Sequence, residues 1–412
     1  MPAKKNNYSR RDFFKVAGTA ALGSSLLPVN DLKAPDANAT ENQDMRKVPT
    51  RPFGKTGIDV SILSLGGVLG MSDQLMFRQA MKMGVTYWDT ADSYGWGKNE
   101  KAIGKYFAKY PSDRQKVFLV TKAGSSDPET LTKKLETSLQ RMNTTYIDLY
   151  FIHYVNDVAD ELTSEVRAWA EQAKADGKIR LFGFSTHKNM EQTMLAAAKL
   201  GWIDGIMMSY NYRLMVKPEM KWAVKACVDA GIGLTAMKTQ AAFSANFYAS
   251  IGSETDDAIE MTKHFLSKGY SAEQARLKVV WEDPNIASIC SAMPNMTILQ
   301  ANVAAALNKT SLSINDYQRL DQYSKLTAPG YCAGCAHICE PTLGTDIPIS
   351  DIMRYLMYAN TYSDLETAKR GFRRIPENTR KHLPKIDFSE AEERCPQNMP
   401  IAKLMRQASK LC

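Results

Sequence analysis

Ionisable residues end three consecutive apolar stretches of this chain. Asp89, Lys122 and His153 each stand at the end of one stretch, and Tyr94 follows Asp89 in a glycine-containing turn. The stretches are rich in β-branched and aromatic residues, which predicts buried strands. A carboxylate, an ammonium, an imidazole and a phenol contribute little to an apolar core but are effective acid–base groups. If the strand ends meet on one face, all four side chains share one pocket, so the pattern predicts proton-transfer chemistry.

Alternating strands and helices are predicted to position these residues. Helical stretches with a period of about 3.6 residues, such as 130–142, 165–176 and 217–230, separate the strands. Eight strands that are each followed by a helix predict an α/β fold of the (β/α)8 TIM-barrel type. A doubly wound sheet is the alternative, but no GxGxxG motif follows the first strand. The predicted strands are 61–65, 85–89, 117–121, 147–152, 181–185, 205–209, 233–237 and 287–291.

Six motifs lie on or beside these strands. They are Arg51-Pro-Phe-Gly-Lys-Thr-Gly57, Asp89-Thr-Ala-Asp-Ser-Tyr94-Gly, Val120-Thr-Lys122, Phe151-Ile-His153, Gly177-Lys-Ile-Arg180 and Gly183-Phe-Ser185. Together they resemble the aldo/keto reductase family, and the resemblance covers residues 50–326. It implies a barrel domain over these residues and an oxidoreductase that transfers hydride between a nicotinamide cofactor and a carbonyl or alcohol.

The resemblance also implies a role for each of the four ionisable residues. Reduction of a carbonyl creates an alkoxide that needs a proton, and Tyr94 is expected to supply it. A free tyrosine has a pKa of about 10, and a neighbouring ammonium lowers that value, so Lys122 is expected to tune Tyr94. Asp89 is expected to pair with Lys122, and His153 to orient the carbonyl.

Cofactor contacts implied by the resemblance are less complete. Thr186 replaces the usual Asn, and Met237 replaces the Tyr that stacks on the nicotinamide in many members. The Arg or Lys that binds the 2′-phosphate of NADP is missing after the last strand, which removes a charge-assisted contact. The choice between NADP and NAD is therefore open. The implied cofactor residues are Ser185, Thr186, Tyr210, Asn211, Met237 and Asn302.

A cysteine pattern follows the predicted barrel. The spacing Cys332-x2-Cys335-x3-Cys339, with Cys395 before a proline, resembles part of a two-cluster ferredoxin. In such ferredoxins each cluster takes its fourth ligand from the Cys-Pro of the other run. Glu340 stands where the first run would have its own fourth cysteine, so the resemblance implies one [4Fe–4S] cluster in a small, mostly helical domain at 327–412. The x3 spacing leaves a [3Fe–4S] centre, a four-cysteine zinc site or two disulfides as alternatives.

The N-terminus predicts export. Ser9-Arg-Arg-Asp-Phe-Phe-Lys15 matches the twin-arginine consensus, and the apolar run at 16–29 is too short to span a bilayer. Residues 1–39 are therefore predicted to be a signal peptide and residues 40–49 a linker. This predicts recognition by the twin-arginine export machinery, a periplasmic location and no stable membrane anchor.

Composition narrows the choice of partners. The net charge of +8 comes from scattered basic residues, so nucleic acid is not implied. The sequence predicts an exported aldo/keto reductase-type oxidoreductase with one iron–sulfur cluster for electron transfer or structure. Its partners would be a small carbonyl or alcohol and an electron-transfer protein. The alternative is a non-catalytic barrel that serves as a binding scaffold with a four-cysteine zinc cap or a disulfide cap.

Overall fold

The computed structural model of the protein describes residues 47–68, 73–241, 256–344 and 346–411. The predicted signal peptide, 1–39, and most of the predicted linker lie outside these residues. The described chain begins with an antiparallel hairpin of β1 (Thr50–Pro52) and β2 (Asp59–Ser61). Among the described helices, none is both long and apolar enough to cross a membrane.

A closed barrel of eight parallel strands follows the hairpin. The strands are β3 (Leu63–Gly66), β4 (Tyr87–Asp89), β5 (Phe118–Ala123), β6 (Ile147–His153), β7 (Ile179–Thr186), β8 (Gly205–Ser209), β9 (Gly233–Met237) and β10 (Ser288–Ala292). Neighbouring strands pair in chain order, and β10 closes the barrel against β3. Each predicted strand overlaps one of these, so the predicted (β/α)8 barrel is confirmed.

An aromatic plug closes the barrel at the N-terminal ends of its strands. Phe53, which follows β1, packs against Phe118 with ring centroids 5.4 Å apart and against Tyr87 at 6.5 Å. A Cβ atom at Gly205 or Gly233 would lie 2.8 or 2.5 Å from the Phe53 ring, so these strands need glycine there. The opposite end of the barrel is left for the ionisable residues.

Helices surround the strands. They are α1 (Gln74–Lys82), α2 (Lys98–Lys109), α3 (Pro128–Arg141), α4 (Val158–Glu161), α5 (Ser164–Ala175), α6 (Met190–Ala197), α7 (Pro218–Asp229), α8 (Asp256–Ser267), α9 (Ala272–Trp281), α10 (Met296–Leu307) and α11 (Ile314–Leu326). The helices predicted at 130–142, 165–176 and 217–230 correspond to α3, α5 and α7. Local signals fix several starts: the Asp127 side chain, for example, accepts a hydrogen bond from the Thr130 N–H at the start of α3.

The chain continues beyond the barrel as short helices with an apolar cluster of their own. These are α12 (Ala336–Cys339), α13 (Ile349–Asn360), α14 (Leu365–Arg373), α15 (Glu377–His382), α16 (Ser389–Glu393) and α17 (Ile401–Ala408). We refer to α12–α17 as the C-terminal helices. The helical content matches the expectation for this part of the chain, while the boundary at residue 326 stays a prediction.

Candidate active site

A buried ion pair lies at the ends of β4 and β5. Lys122 Nζ is 2.5 Å from Asp89 Oδ1 and donates a second hydrogen bond to the Thr90 carbonyl at 2.8 Å. The two side chains are only 1% and 3% exposed. Burial raises the pKa of the Asp89 carboxyl, and the Lys122 ammonium opposes that shift. The predicted pairing of these two residues is what the structure contains.

Tyr94 begins a tight 3-10 turn (Tyr94–Gly97) after β4. Gly95, Trp96 and Gly97 all have left-handed backbone angles, with φ of 54°, 60° and 79°. Lys122 Nζ lies 5.2 Å from the centre of the Tyr94 ring. Burial raises the pKa of the Tyr94 phenol well above its usual range, and the Asp89 carboxylate adds to the rise. The role assigned to Lys122, which is to lower this pKa, stays a prediction.

His153 ends β6 beside Tyr94. The two rings meet edge to face with centroids 5.9 Å apart. Tyr154 stacks almost parallel on the imidazole, with centroids 3.6 Å apart and planes 12° apart. Burial lowers the pKa of His153 well below its usual range, and the Lys122 ammonium lowers it further. The imidazole is therefore neutral near neutral pH and carries one N–H donor.

The four ionisable residues thus share one pocket at the strand ends. The barrel ladder sets their spacing, since β4 pairs with β5 and β5 with β6 in parallel register. The sequence pattern predicted this convergence. The chemical roles assigned to the four residues stay predictions.

The first two predicted cofactor residues lie next to this pocket. Ser185 is opposite His153 in the β6–β7 ladder, and its hydroxyl accepts a hydrogen bond from the Tyr154 N–H at 3.3 Å. The Thr186 hydroxyl donates to the Lys188 carbonyl at 3.2 Å. Both side chains are buried at the C-terminal end of β7.

The next two predicted cofactor residues, Tyr210 and Asn211, form hydrogen bonds to other residues of the chain. The Tyr210 hydroxyl donates to Asp283 Oδ2 at 2.6 Å. The Asn211 amide donates to the Tyr331 hydroxyl at 2.9 Å and to the Lys238 carbonyl at 3.3 Å. Each therefore has a structural partner that the sequence did not predict, and the Tyr210 hydroxyl and the Asn211 amide nitrogen are both committed to these contacts.

The last two predicted cofactor residues, Met237 and Asn302, belong to a different part of the barrel, at β9 and α10. Met237 ends β9 and is partly buried. Asn302, in α10, donates to the Ser291 hydroxyl at 3.1 Å. Most of the long segment between Met237 and α8, residues 242–255, lies outside the described residues.

Sequence reasoning missed several groups that close the pocket. Arg354, on α13, places its guanidinium 4.7 Å from the centre of the Tyr154 ring, which also lies 5.4 Å from the His187 ring. Lys238 has a left-handed backbone with φ of 55°, and burial lowers its pKa to about 7. A signal was available: an arginine and tyrosines interrupt the otherwise apolar pattern of α13.

A second constellation lies among the C-terminal helices. Cys332, Cys335, Cys339 and Cys395 line one cavity of about 360 Å³, a volume that includes its open mouth. The remaining lining is largely apolar, with Ile, Met and Ala side chains. None of the six cysteines in the described residues forms a disulfide. Within the same residues, no three His, Cys, Asp or Glu side chains are arranged to hold a single metal ion.

Polar contacts join the cysteine loop, residues 331–340, to the barrel. The Gly334 carbonyl accepts a hydrogen bond from the Asn189 N–H at 2.8 Å, and Gly334 itself has φ of +81°. A Cβ atom at this glycine would lie 2.3 Å from the His187 carbonyl oxygen, so only glycine fits. Lys188 Nζ is 2.7 Å from Glu340 Oε2. The cysteine cavity is thereby held next to the end of β7.

Comparison with known proteins gives a consistent result. The family model described as "Aldo/keto reductase family" matches residues 72–325. The aldo-keto reductase yakc of Schizosaccharomyces pombe, whose name records NADP(+), is 27% identical over 205 residues, which cover 45% of this chain and 59% of that protein. The uncharacterized oxidoreductase YrpG of Bacillus subtilis is 30% identical over 212 residues, with 45% and 64% covered. The matches span about three fifths of these relatives.

A solved structure agrees at the level of the fold. The holo form of aldo-keto reductase AKR11C1 from Bacillus halodurans superposes with a TM-score of 0.53 and 21% sequence identity. It covers 67% of this chain and 96% of that chain. At this identity the likeness concerns the barrel and its connectivity.

Proposed function

The chain belongs to the aldo/keto reductase family, and from this premise we propose that it transfers hydride between a nicotinamide cofactor and a small-molecule carbonyl or alcohol. The observation that carries the proposal is the shared pocket of Asp89, Lys122, Tyr94 and His153. Each residue supplies a group that carbonyl reduction requires, and together they lie at the barrel face where such folds place their chemistry.

In the direction of reduction, the residues divide the work as follows. Tyr94 holds a proton, because burial raises its pKa, and delivers it to the alkoxide oxygen. Neutral His153 donates a hydrogen bond to the carbonyl oxygen and orients it. Lys122, fixed by Asp89, places positive charge beside the phenol and stabilises the phenolate left after proton transfer. The cofactor, when bound, supplies the hydride.

The pocket fits a nicotinamide in part. The Ser185 hydroxyl and the Thr186 backbone lie at the end of β7 beside His153, where the family holds the nicotinamide amide. The name of the Schizosaccharomyces pombe relative records NADP(+), and we extend nicotinamide use to this chain. Fluorescence titration of the purified protein with NADPH and NADH decides which is bound, and binding of neither contradicts this part of the proposal.

Tyr94→Phe tests the assigned proton donor. The change removes one hydroxyl and keeps the ring, so turnover should fall by about 10²–10⁴ while cofactor affinity stays near the wild-type value. Tyr110→Phe is the matched control, because that ring packs against Tyr106 outside the pocket. Wild-type turnover in Tyr94→Phe, on any carbonyl that the protein reduces, would refute the assignment.

We also propose that Cys332, Cys335, Cys339 and Cys395 hold one [4Fe–4S] cluster. Four thiols around one apolar cavity suit a cluster, whose iron atoms are spread over a core larger than one ion. A single zinc ion needs four sulfurs at about 2.3 Å from one point, which brings them closer together than a cluster does.

Native composition tests the cluster. Iron and acid-labile sulfide should each approach four per chain in anaerobically purified protein, with visible absorbance that bleaches on reduction. Three iron atoms per chain would indicate a [3Fe–4S] centre. Zinc without sulfide would instead make the cavity a structural zinc site with four cysteine ligands, and four thiols oxidised in pairs would make it a disulfide cap.

We propose export through the twin-arginine pathway to the periplasm. The support is Ser9-Arg-Arg-Asp-Phe-Phe-Lys15 and the short apolar run after it. This pathway carries folded proteins, which suits a chain that binds its cofactors first. Replacing Arg10 and Arg11 by Lys should retain the protein in the cytoplasm. Equal periplasmic yield from the wild type and the double variant would contradict export by this route.

A further inference from the structure

A stack of three groups connects the C-terminal helices to the catalytic pocket. His153 lies against Tyr154 with ring centroids 3.6 Å apart, and the Arg354 guanidinium of α13 lies 4.7 Å from the Tyr154 ring. The Arg354 side chain is only 10% exposed and forms an ion pair with Asp351 one turn earlier. Its position on the helix is therefore fixed, and its guanidinium reaches the imidazole through Tyr154.

A second arginine reaches the other catalytic loop. Arg370, on α14, places its guanidinium 5.1 Å from the centre of the Trp96 ring. It also donates to the Ser93 carbonyl at 3.4 Å. Ser93 and Trp96 flank Tyr94 in the tight turn, so this arginine contacts the turn on both sides of the assigned proton donor.

Both contacted segments have strained backbone. Tyr154 has φ of 70° and Trp96 has φ of 60°, in a region that bulky side chains rarely occupy. Such conformations persist only where surrounding structure holds them, and they are found most often at functional sites. A guanidinium over an aromatic ring is an attractive contact that is stronger where water is excluded. Tyr154 is partly buried, whereas Trp96 is 75% exposed, so the Arg354 contact is expected to be the stronger of the two.

The two helices that carry these arginines pack closely against each other. A Cβ atom at Gly371 of α14 would lie 2.3 Å from the ring of Tyr355 on α13, so the helices are in close contact at this glycine. From these contacts we infer that Arg354 and Arg370 are positioning residues, which hold His153 and the Tyr94 turn in the geometry for proton transfer. The inference rests on the proposed function and extends the active site to the C-terminal helices.

Three variants test the inference in the full-length protein. Arg354→Met removes charge and planar stacking, Arg354→Lys keeps the charge, and Arg370→Met removes the contact with the Tyr94 turn. Arg373→Met, on the exposed side of α14, is the matched control. Misplacement of a catalytic group by about 1 Å costs up to about 10²-fold in rate. We expect kcat to fall by up to that factor in Arg354→Met and Arg370→Met, with KM changed much less.

Nuclear magnetic resonance of the histidine rings provides a readout that does not depend on turnover. The chain has five histidines, so the His153 signal is assignable by comparison with His153→Gln. Both Arg354 variants should shift this signal, because the ring that stacks on His153 loses its planar partner. Only Arg354→Met should also raise the pKa of His153, because it removes one of the surrounding cations. The groups that face His153 are Tyr94, Lys122, Lys134, Tyr154, His187, Arg354 and Arg374.

The corresponding readout for Arg370 is the Trp96 indole signal, assigned with Trp96→Phe. It should shift in Arg370→Met and stay in place in Arg373→Met. Unchanged His153 and Trp96 signals, or a fall in kcat without any shift, would overturn the positioning role. If the wild type reduces no carbonyl, the proposed function fails, while the ring signals still decide whether the arginines position these residues. Arg354→Lys keeps the test decisive if Arg354→Met does not fold.

Discussion

The catalytic pocket and the cysteine cavity differ in how the charges of their ionisable residues are balanced. In the pocket, Lys122 and Asp89 neutralise each other inside the fold, so this ion pair is complete without any added group. In the cavity, burial and, to a smaller extent, the neighbouring cysteines together raise the pKa of the Cys332 and Cys339 thiols to about 12, with Glu340 contributing at Cys339. These sulfurs stay protonated unless a cationic group binds them. The charges of the barrel site are therefore balanced by the chain's own residues. The four cysteines of the proposed cluster site need a bound cationic group to become thiolates.

The largest effect should be loss of the proposed cluster when one of its cysteine ligands is replaced. Cys332→Ser and Cys395→Ser should each abolish the same bound centre, although they are 395 − 332 = 63 positions apart, because both sulfurs line one cavity. Hydroxyls hold iron far less well than thiolates. Iron and sulfide per chain, together with the paramagnetic resonance spectrum of the reduced protein, measure the loss.

Cys227→Ser is the matched control for these two variants. Cys227 is buried against α6, where its thiol contacts the Met194 carbonyl, so its replacement should leave the iron content unchanged. Loss of the centre in only one of the two test variants would mean that the two cysteines do not share it.

The next largest effect should come from breaking the buried ion pair between Lys122 and Asp89. Lys122→Met leaves Asp89 buried without its partner, so unfolding should cost about 3–5 kcal/mol less, and carbonyl reduction should be lost as well. Chemical denaturation measures the change. Lys133→Met removes an exposed lysine paired with Glu129, and its effect should be below about 0.5 kcal/mol. Equal stability of the two variants would show that the buried pair contributes nothing beyond a surface pair.

The contact between the two regions should have a smaller effect. Lys188→Met removes the ion pair with Glu340, and the Glu340 carboxylate keeps its hydrogen bond from the Ser350 N–H at 3.0 Å. We expect a loss of about 1 kcal/mol, measured by the denaturation midpoint. Lys225→Met, which breaks the exposed pair with Asp229, is the control. A loss no larger than in the control would show that this ion pair adds nothing to the backbone hydrogen bond between Asn189 and Gly334 and to the packing around it.

Regular barrel structure explains why so much of the first site was predictable. Asp89, Lys122 and His153 end strands whose apolar pattern is plain in the sequence, and parallel pairing then brings strand ends together. Arg354 was not predictable in the same way, because the approach of α13 to the barrel depends on side-chain packing between distant segments. The sequence marked Glu340 only as a missing cysteine. Its ion pair with Lys188 emerges once both segments are folded.

The pKa of Tyr94 is a second property that the sequence alone does not predict. The sequence suggested a tyrosine whose pKa is lowered by the nearby Lys122, because a neighbouring charge is visible in a motif. Burial is a property of the whole fold, and at Tyr94 it is the largest cause of a raised pKa, to which the Asp89 carboxylate adds. The burial of the Tyr94 phenol, which no local motif encodes, therefore has to be read from the fold before its pKa can be predicted.

The smallest expected effect, a flat pH dependence, tests that balance directly. A raised pKa keeps the Tyr94 phenol protonated at every pH below its ordinary value of about 10, and a lowered pKa keeps His153 neutral at every pH above about 6.5. Lys238, whose pKa burial lowers to about 7, loses its proton at the acid end of these limits, so kcat/KM for carbonyl reduction should be constant from about pH 8 to about pH 10. The alkaline loss should lie above this window and the acid loss below it. An alkaline limb at pH 7–9 that disappears in Tyr94→Phe would show that Lys122 outweighs burial after all. It would also make the pocket depend on a charged neighbour more strongly than its buried geometry indicates.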